Sequence, residues 1–217
     1  MFLGHYAVAL AAKRAAPAVS LGTLFFASVV IDLLWPALLL AGVERARIEP
    51  SLPGLSPLVF EHYPVSHSLL MVGVWAMLVG AAYFAVMRER LGALVVAALV
   101  VSHWLLDALA HRPDLLLVPG GQIAIGAGLW NAPLASVLTE LGLFGIGLLL
   151  YLRTTRGQRR WPLWVLCALL LVIFAADAVG PPPPSMTAVA WAGFAQWLLV
   201  GAGYWVDRPA TSRAVAA

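Results

Sequence analysis

The sequence predicts an all-α fold: a polytopic membrane helix bundle of about six transmembrane helices, with a short N-terminal half-inserted or interfacial helix. Three observations predict it. Of 217 residues, 62% are hydrophobic and only 11% are charged, whereas a soluble domain carries about a quarter charged residues. Six stretches approach the ~20 apolar residues that cross ~30 Å of hydrocarbon. Each stretch is bounded by charge, proline or glycine, where a helix must stop.

In chain order, residues 2–16 form an apolar-faced segment that is too short to span and closes on Lys13 and Arg14. It therefore reads as a half-inserted or interfacial helix. A cleaved signal peptide is not expected, because the basic pair follows the apolar stretch instead of preceding it. The expected spans are 18–41, 65–87, 91–110, 134–152, 161–179 and 185–206. The proline run at 181–184 cannot continue a helix and forms a stiff turn before the last span. Two non-spanning connectors remain. Residues 42–64 carry Glu44, Arg45, Arg47 and Glu49 with several prolines, and residues 111–133 contain a glycine-rich stretch at 120–128. The chain reads as a single membrane domain over 1–217, with 1–133 as the half that holds the chemistry and 134–217 as an accessory three-helix half.

Lysine and arginine accumulate in short cytoplasmic loops. Lys13, Arg14, Arg88, Arg90, Arg153, Arg156, Arg159, Arg160, Arg208 and Arg213 fall on one side of six spans, against Arg45, Arg47 and Arg112 on the other. Both termini are thus expected in the cytoplasm, with the connectors facing outward. No basic block is interleaved with aromatics, so a nucleic-acid groove is excluded. Cys167 is the one cysteine and forms no intramolecular disulfide.

Ionisable groups inside a bilayer cost roughly 2.5–3.5 kcal/mol each at mid-helix, so those in the spans need partners. Span one holds Asp32. Span three holds His103 and Asp107 with His111 at its end, an i, i+4, i+8 series on one helix face. Span two opens with Glu61-His62-Tyr63-Pro64-Val65-Ser66-His67-Ser68, where the proline suggests a loop-to-helix entry and lets His62 fold back over His67. His5 reaches the same depth if its segment inserts. Taken singly, these groups read as satisfied core residues or helix–helix partners. Asp177 and Glu140 read as interface or supporting groups, and Ser66, Ser68 and Ser102 as bonded to helix carbonyls. Trp35, Trp130 and Trp161 read as interfacial belts. Taken together, four of the five histidines fall in or beside two short windows with acidic or hydroxyl neighbours. Neutral imidazole plus carboxylate is the ligand set suited to a divalent metal, zinc above all.

These motifs resemble the bacterial membrane-bound metal-dependent hydrolase family, which includes LexA-regulated inner-membrane proteins. The resemblance rests on Gly4-His5, Asp32, the run His62-Tyr63-Pro64-Val65-Ser66-His67-Ser68, and Ser102-His103 with Asp107. It covers roughly the first half of the chain. Tyr63-Pro64 stands where the family motif has Arg-Gly, and Ser66 where it has threonine. The resemblance implies a metal set of His5, Asp32, His62, His67, His103 and Asp107, in a bacterial inner membrane.

On that reading the protein hydrolyses a lipid-like or membrane-associated substrate from the outer side. His62, His111 or Asp107 then acts as base or acid, and Arg112 binds an anionic headgroup. Membrane lipids are the expected surroundings. Two other readings use the same residues: a metal-ion or proton pathway, and a non-catalytic scaffold pinned by polar contacts.

Overall fold

The computed structural model describes residues 1–155 and 160–207. Among these residues, six helices are long and apolar enough to cross a membrane. They are α2 (Leu21–Leu40), α4 (Leu69–Met87), α5 (Arg90–Ala110), α6 (Pro133–Thr154), α7 (Trp161–Val179) and α8 (Met186–Val206), preceded by the short helix α1 (Leu3–Ala12). The chain is therefore an all-α polytopic bundle. Arg156, Arg159, Arg208 and Arg213, used above for orientation, lie outside the described residues.

The outer surface is apolar, as lipid requires. Met77, Leu94, Leu134, Val172 and Leu198 are among its exposed side chains. Helix α1 is the exception to a simple up-and-down bundle. Leu3, Gly4, His5, Tyr6, Ala7, Ala9 and Leu10 are all buried, so every face of α1 is covered. That excludes a helix lying on an interface with one wet face. Lys13, just past its C-terminal end, bonds Asp207 Oδ2 at 2.6 Å beyond the end of α8. From there α1 runs back into the bundle, against α6, α2 and α5. Ten residues at ~1.5 Å each carry it about 15 Å inward. Its N-terminal N–H groups lack a cap from their own segment, and Glu140 of α6 supplies one, with Oε2 accepting from Gly4 N at 3.3 Å. The expected division at 133/134 is thus crossed by the packing of α6 on α1.

Span two differs from the expected continuous helix. A four-residue helix, α3 (Pro64–His67), precedes α4, and Ser68 between them is extended at φ −75°, ψ 142°. The break leaves backbone carbonyls without helical partners, which is tolerable at this depth only inside protein. Trp75 Nε1 donates to Val65 O and Trp104 Nε1 donates to His67 O, both at 2.9 Å.

The connectors are not purely irregular. β1 (Arg45–Ile48) pairs antiparallel with β2 (Leu58–His62), and β3 (Leu115–Leu116) with β4 (Ala124–Ile125). Both hairpins lie at the end of the bundle opposite Lys13 and the α4–α5 turn. Short ladders satisfy backbone groups where the chain leaves its helices. Gly54, at φ +101°, lies against the Trp130 carbonyl, so it joins the two connectors at a point where no side chain fits.

Candidate metal centre

Four elements bring the buried polar groups together. Asp32 comes from the middle of α2, His67 from the end of α3, His103 and Asp107 from α5, and His5 from α1. Asp107 is the hub. Its Oδ2 lies 3.1 Å from His103 Nε2, 3.8 Å from His67 Nε2 and 3.9 Å from His111 Nε2. Its Oδ1 faces the other way, accepting from the Met1 amine at 2.6 Å and lying 3.3 Å from His5 Nε2. Asp32 Oδ1 is 3.5 Å from His103 Nε2 and 3.6 Å from His67 Nε2. The His5 and His103 rings stack at 3.9 Å, within 5° of parallel. Two ligand triads result, His5–His103–Asp107 and Asp32–His67–His103. Every cluster side chain is essentially covered except Asp32, whose side chain is 29% accessible and marks the way in.

The rings are held by their Nδ1 atoms. His103 Nδ1 is 2.8 Å from the Ser28 carbonyl. A carbonyl only accepts, so Nδ1 carries a proton, and Nε2 is the ring nitrogen that faces the carboxylates. His111 Nδ1 is 3.0 Å from Asp114 Oδ1, which also accepts the Tyr63 hydroxyl at 2.6 Å. Burial pushes the Tyr63 phenol far above its ordinary range, and Asp114 adds to the effect, so it remains a donor. Burial also lowers His111, favouring its neutral form. His67 Nδ1 is 2.7 Å from Ser66 Oγ. The Ser66 hydroxyl is spent on Glu44 Oε2 at 2.6 Å, so it accepts from the imidazole.

Three imidazoles therefore turn their Nε2 atoms toward carboxylate oxygens. At 3.1–3.9 Å such contacts are held either by a proton on Nε2 or by a cation shared between nitrogen and oxygen. Among the described residues, His103 Nε2 makes no aligned hydrogen bond although Asp107 is 3.1 Å away, and neither ring nitrogen of His5 has a hydrogen-bond partner. That set of imidazoles and carboxylates fits a divalent ion. The held Nδ1 atoms are what metal-binding histidines normally show.

Several expectations change. His62 does not join the cluster: it ends β2 opposite Arg45 with its side chain exposed, and the chain turns inward only at Tyr63. Arg112 is not free for an anionic headgroup. Its guanidinium donates to Asn131 Oδ1 at 3.0 Å and to the Pro53 and Ser56 carbonyls at 2.8 and 3.2 Å, tying the connectors together. Ser68 and Ser102 do bond helix carbonyls, whereas Ser66 bonds Glu44. Trp130 packs on His111 at 4.2 Å and Trp35 on Phe60 at 5.5 Å, so both wall the site, while Trp161 is exposed. Asp177 is exposed on α7 and belongs to neither triad. His62→Ala and Arg112→Ala are accordingly expected to leave metal content unchanged, with the arginine variant alone melting earlier. Loss of metal in His62→Ala, read by elemental analysis, would restore it to the site.

Glu44 was not legible as a site residue. It stands among loop charges, 22 positions from Ser66, and no short-range spacing connects the two. Its only sequence signal is an acid placed directly after an apolar span. Compared with protein-family models, curated proteins and solved structures, the chain matches none.

Proposed function

We propose that this chain is a membrane-embedded metal-dependent hydrolase acting on a lipid-like or membrane-associated substrate. The observation that carries the reading is the convergence of imidazole nitrogens from α1, α3 and α5 on the carboxylates of Asp32 and Asp107, with ring nitrogens of His5 and His103 left without an aligned hydrogen bond among the described residues. His67, His103, Asp32 and Asp107 would hold the ion, and His5 would border it. The donor set suits zinc. A divalent ion there supplies a polarised substrate oxygen and a water acidified toward pKa ~7.

The chain's own groups do the rest. His111 presents a free Nε2 beside Asp107 and is oriented from behind by Asp114, so it can accept a proton and return it to a leaving group. Asp32 is the accessible member, so substrate enters along α2. Trp35, Phe60 and Trp130 wall the approach with aromatic surface, which suits an apolar portion of substrate and limits water. The motif resemblance supports the same activity. The bias of basic residues supports cytoplasmic termini and an outward-facing site, and the motif resemblance supports a bacterial-type inner membrane.

The test is elemental analysis of protein purified without added chelator, paired with the His67→Ala/His103→Ala double variant and hydrolysis assays on phospholipid vesicles. Stoichiometric divalent metal and metal-dependent hydrolysis are expected in the parent and neither in the variant. A metal-free parent, or equal metal in both, would overturn the reading. Ion flux in proteoliposomes without hydrolysis would assign the cluster to transport.

A further inference from the structure

We infer that Glu44 is a positioning residue that sets the tautomer of His67 through Ser66 and so makes Nε2 of His67 the nitrogen offered to an ion. The inference rests on the metal reading above and extends it to a residue outside the ligand set.

Glu44 is fully buried, and among the described residues no lysine or arginine pairs with it. Its partners are donors from one short stretch. Oε1 accepts from Val65 N and Ser66 N, each at 2.8 Å, and Oε2 accepts the Ser66 hydroxyl at 2.6 Å. A group that only accepts from three donors is a carboxylate, which leaves the Ser66 oxygen one role toward the ring. It accepts from His67 Nδ1–H at 2.7 Å. Proton direction is thus set along the chain Nδ1–H to Oγ and O–H to carboxylate. The remaining ring nitrogen lies 3.6 Å from Asp32 and 3.8 Å from Asp107. A carboxylate behind a ligating imidazole orients the ring and raises its basicity, and its loss typically costs 10–100-fold in metal affinity. The relay also explains a buried carboxylate with no cation of its own: its charge acts through Ser66 and His67 on the ion site.

Glu44→Gln tests this without emptying the position. The carboxamide oxygen still accepts from Val65 N and Ser66 N. The amide nitrogen, now facing Ser66 Oγ, donates where a carboxylate accepted. Ser66 must then turn its proton to His67 Nδ1, which moves the ring proton to Nε2 and removes the lone pair from the site. Ser66→Ala breaks the relay without reversing it.

The experiment titrates Zn²⁺ against a competing chelator into metal-free protein, and reads the His67 ring nitrogens by ¹⁵N resonance before zinc is added. Glu44→Gln should weaken zinc about 10–100-fold, and Ser66→Ala by less than about tenfold. The double variant should recover to the Ser66→Ala value, because no hydroxyl remains to reverse. A merely structural Glu44 would give losses that add, with the double variant weakest. The ring proton should sit on Nδ1 in the parent and on Nε2 in Glu44→Gln. Parent-like zinc affinity and an Nδ1 proton in Glu44→Gln would overturn the inference and leave the metal reading standing. A parent that binds no zinc would overturn the metal reading, while the resonance still decides the relay. Should Glu44→Gln fail to fold, Ser66→Ala decides: an Nδ1 proton as firmly held as in the parent would defeat the inference.

Discussion

Asp107→Ala is expected to strip the metal and to lower stability by roughly 3–5 kcal/mol, the cost of removing one partner from a buried charged cluster. Every group that faces Asp107 explains the size. The Met1 amine donates to Oδ1 at 2.6 Å, with His5 at 3.3 Å on the same side, and His103 lies 3.1 Å from Oδ2. Without the carboxylate, a buried ammonium has lost its acceptor and the imidazoles have lost the group they face. Against a stability of about 5–15 kcal/mol for a whole domain, that is a large fraction. Asp107→Asn keeps the shape and removes the charge, so it should lose metal while losing less stability. Thermal unfolding in detergent and elemental analysis read the two effects separately. An Asp107→Ala protein that melts with the parent and keeps its metal would remove Asp107 from the centre.

Gly147→Ala, one methyl group added in α6 with no polar atom changed, is expected to displace α1. The Cβ would land on the Ala7 carbonyl oxygen, which is backbone and cannot rotate aside. Helices in lipid approach closely where small residues face each other, and Gly147 is such a contact for α1. Overpacking costs about 1–3 kcal/mol, and here the strain moves the helix that carries His5. A lower melting temperature and weaker zinc binding are expected together, since His67, His103 and Asp32 remain in place. Among the described residues, Gly142 and Gly145 of the same helix have nothing within 4 Å of an added Cβ. Their alanine variants should hold or gain stability, alanine being the better helix former by ~1 kcal/mol. If all three variants behave alike, close packing of α1 on α6 is not what holds His5.

The bounds of the spans were largely legible in the sequence. Residues 161–179 were read as they stand, and α5 and α8 begin within one residue of expectation. Crossing a bilayer is decided by some twenty consecutive residues, so the window that determines it is the window that is read. The alignment of His103, Asp107 and His111 was legible for the same local reason, the helical repeat.

Contacts between elements were not. His62 and His67 lie five residues apart, and only the path of β2 into Tyr63 decides that one is exposed and the other buried. Arg112 looked free until the carbonyls of Pro53 and Ser56 took its donors. His5 reaches Asp107 because α1 turns back into the bundle and Glu140, 136 positions from Gly4, caps it there. Hydropathy and helical period alone determined that the chain spans a membrane and which face of α5 carries its polar groups. Tertiary structure decided which of those groups meet, and which buried acid stands behind them. Such contacts join residues far apart in sequence, and their energies depend on packing that no local window contains.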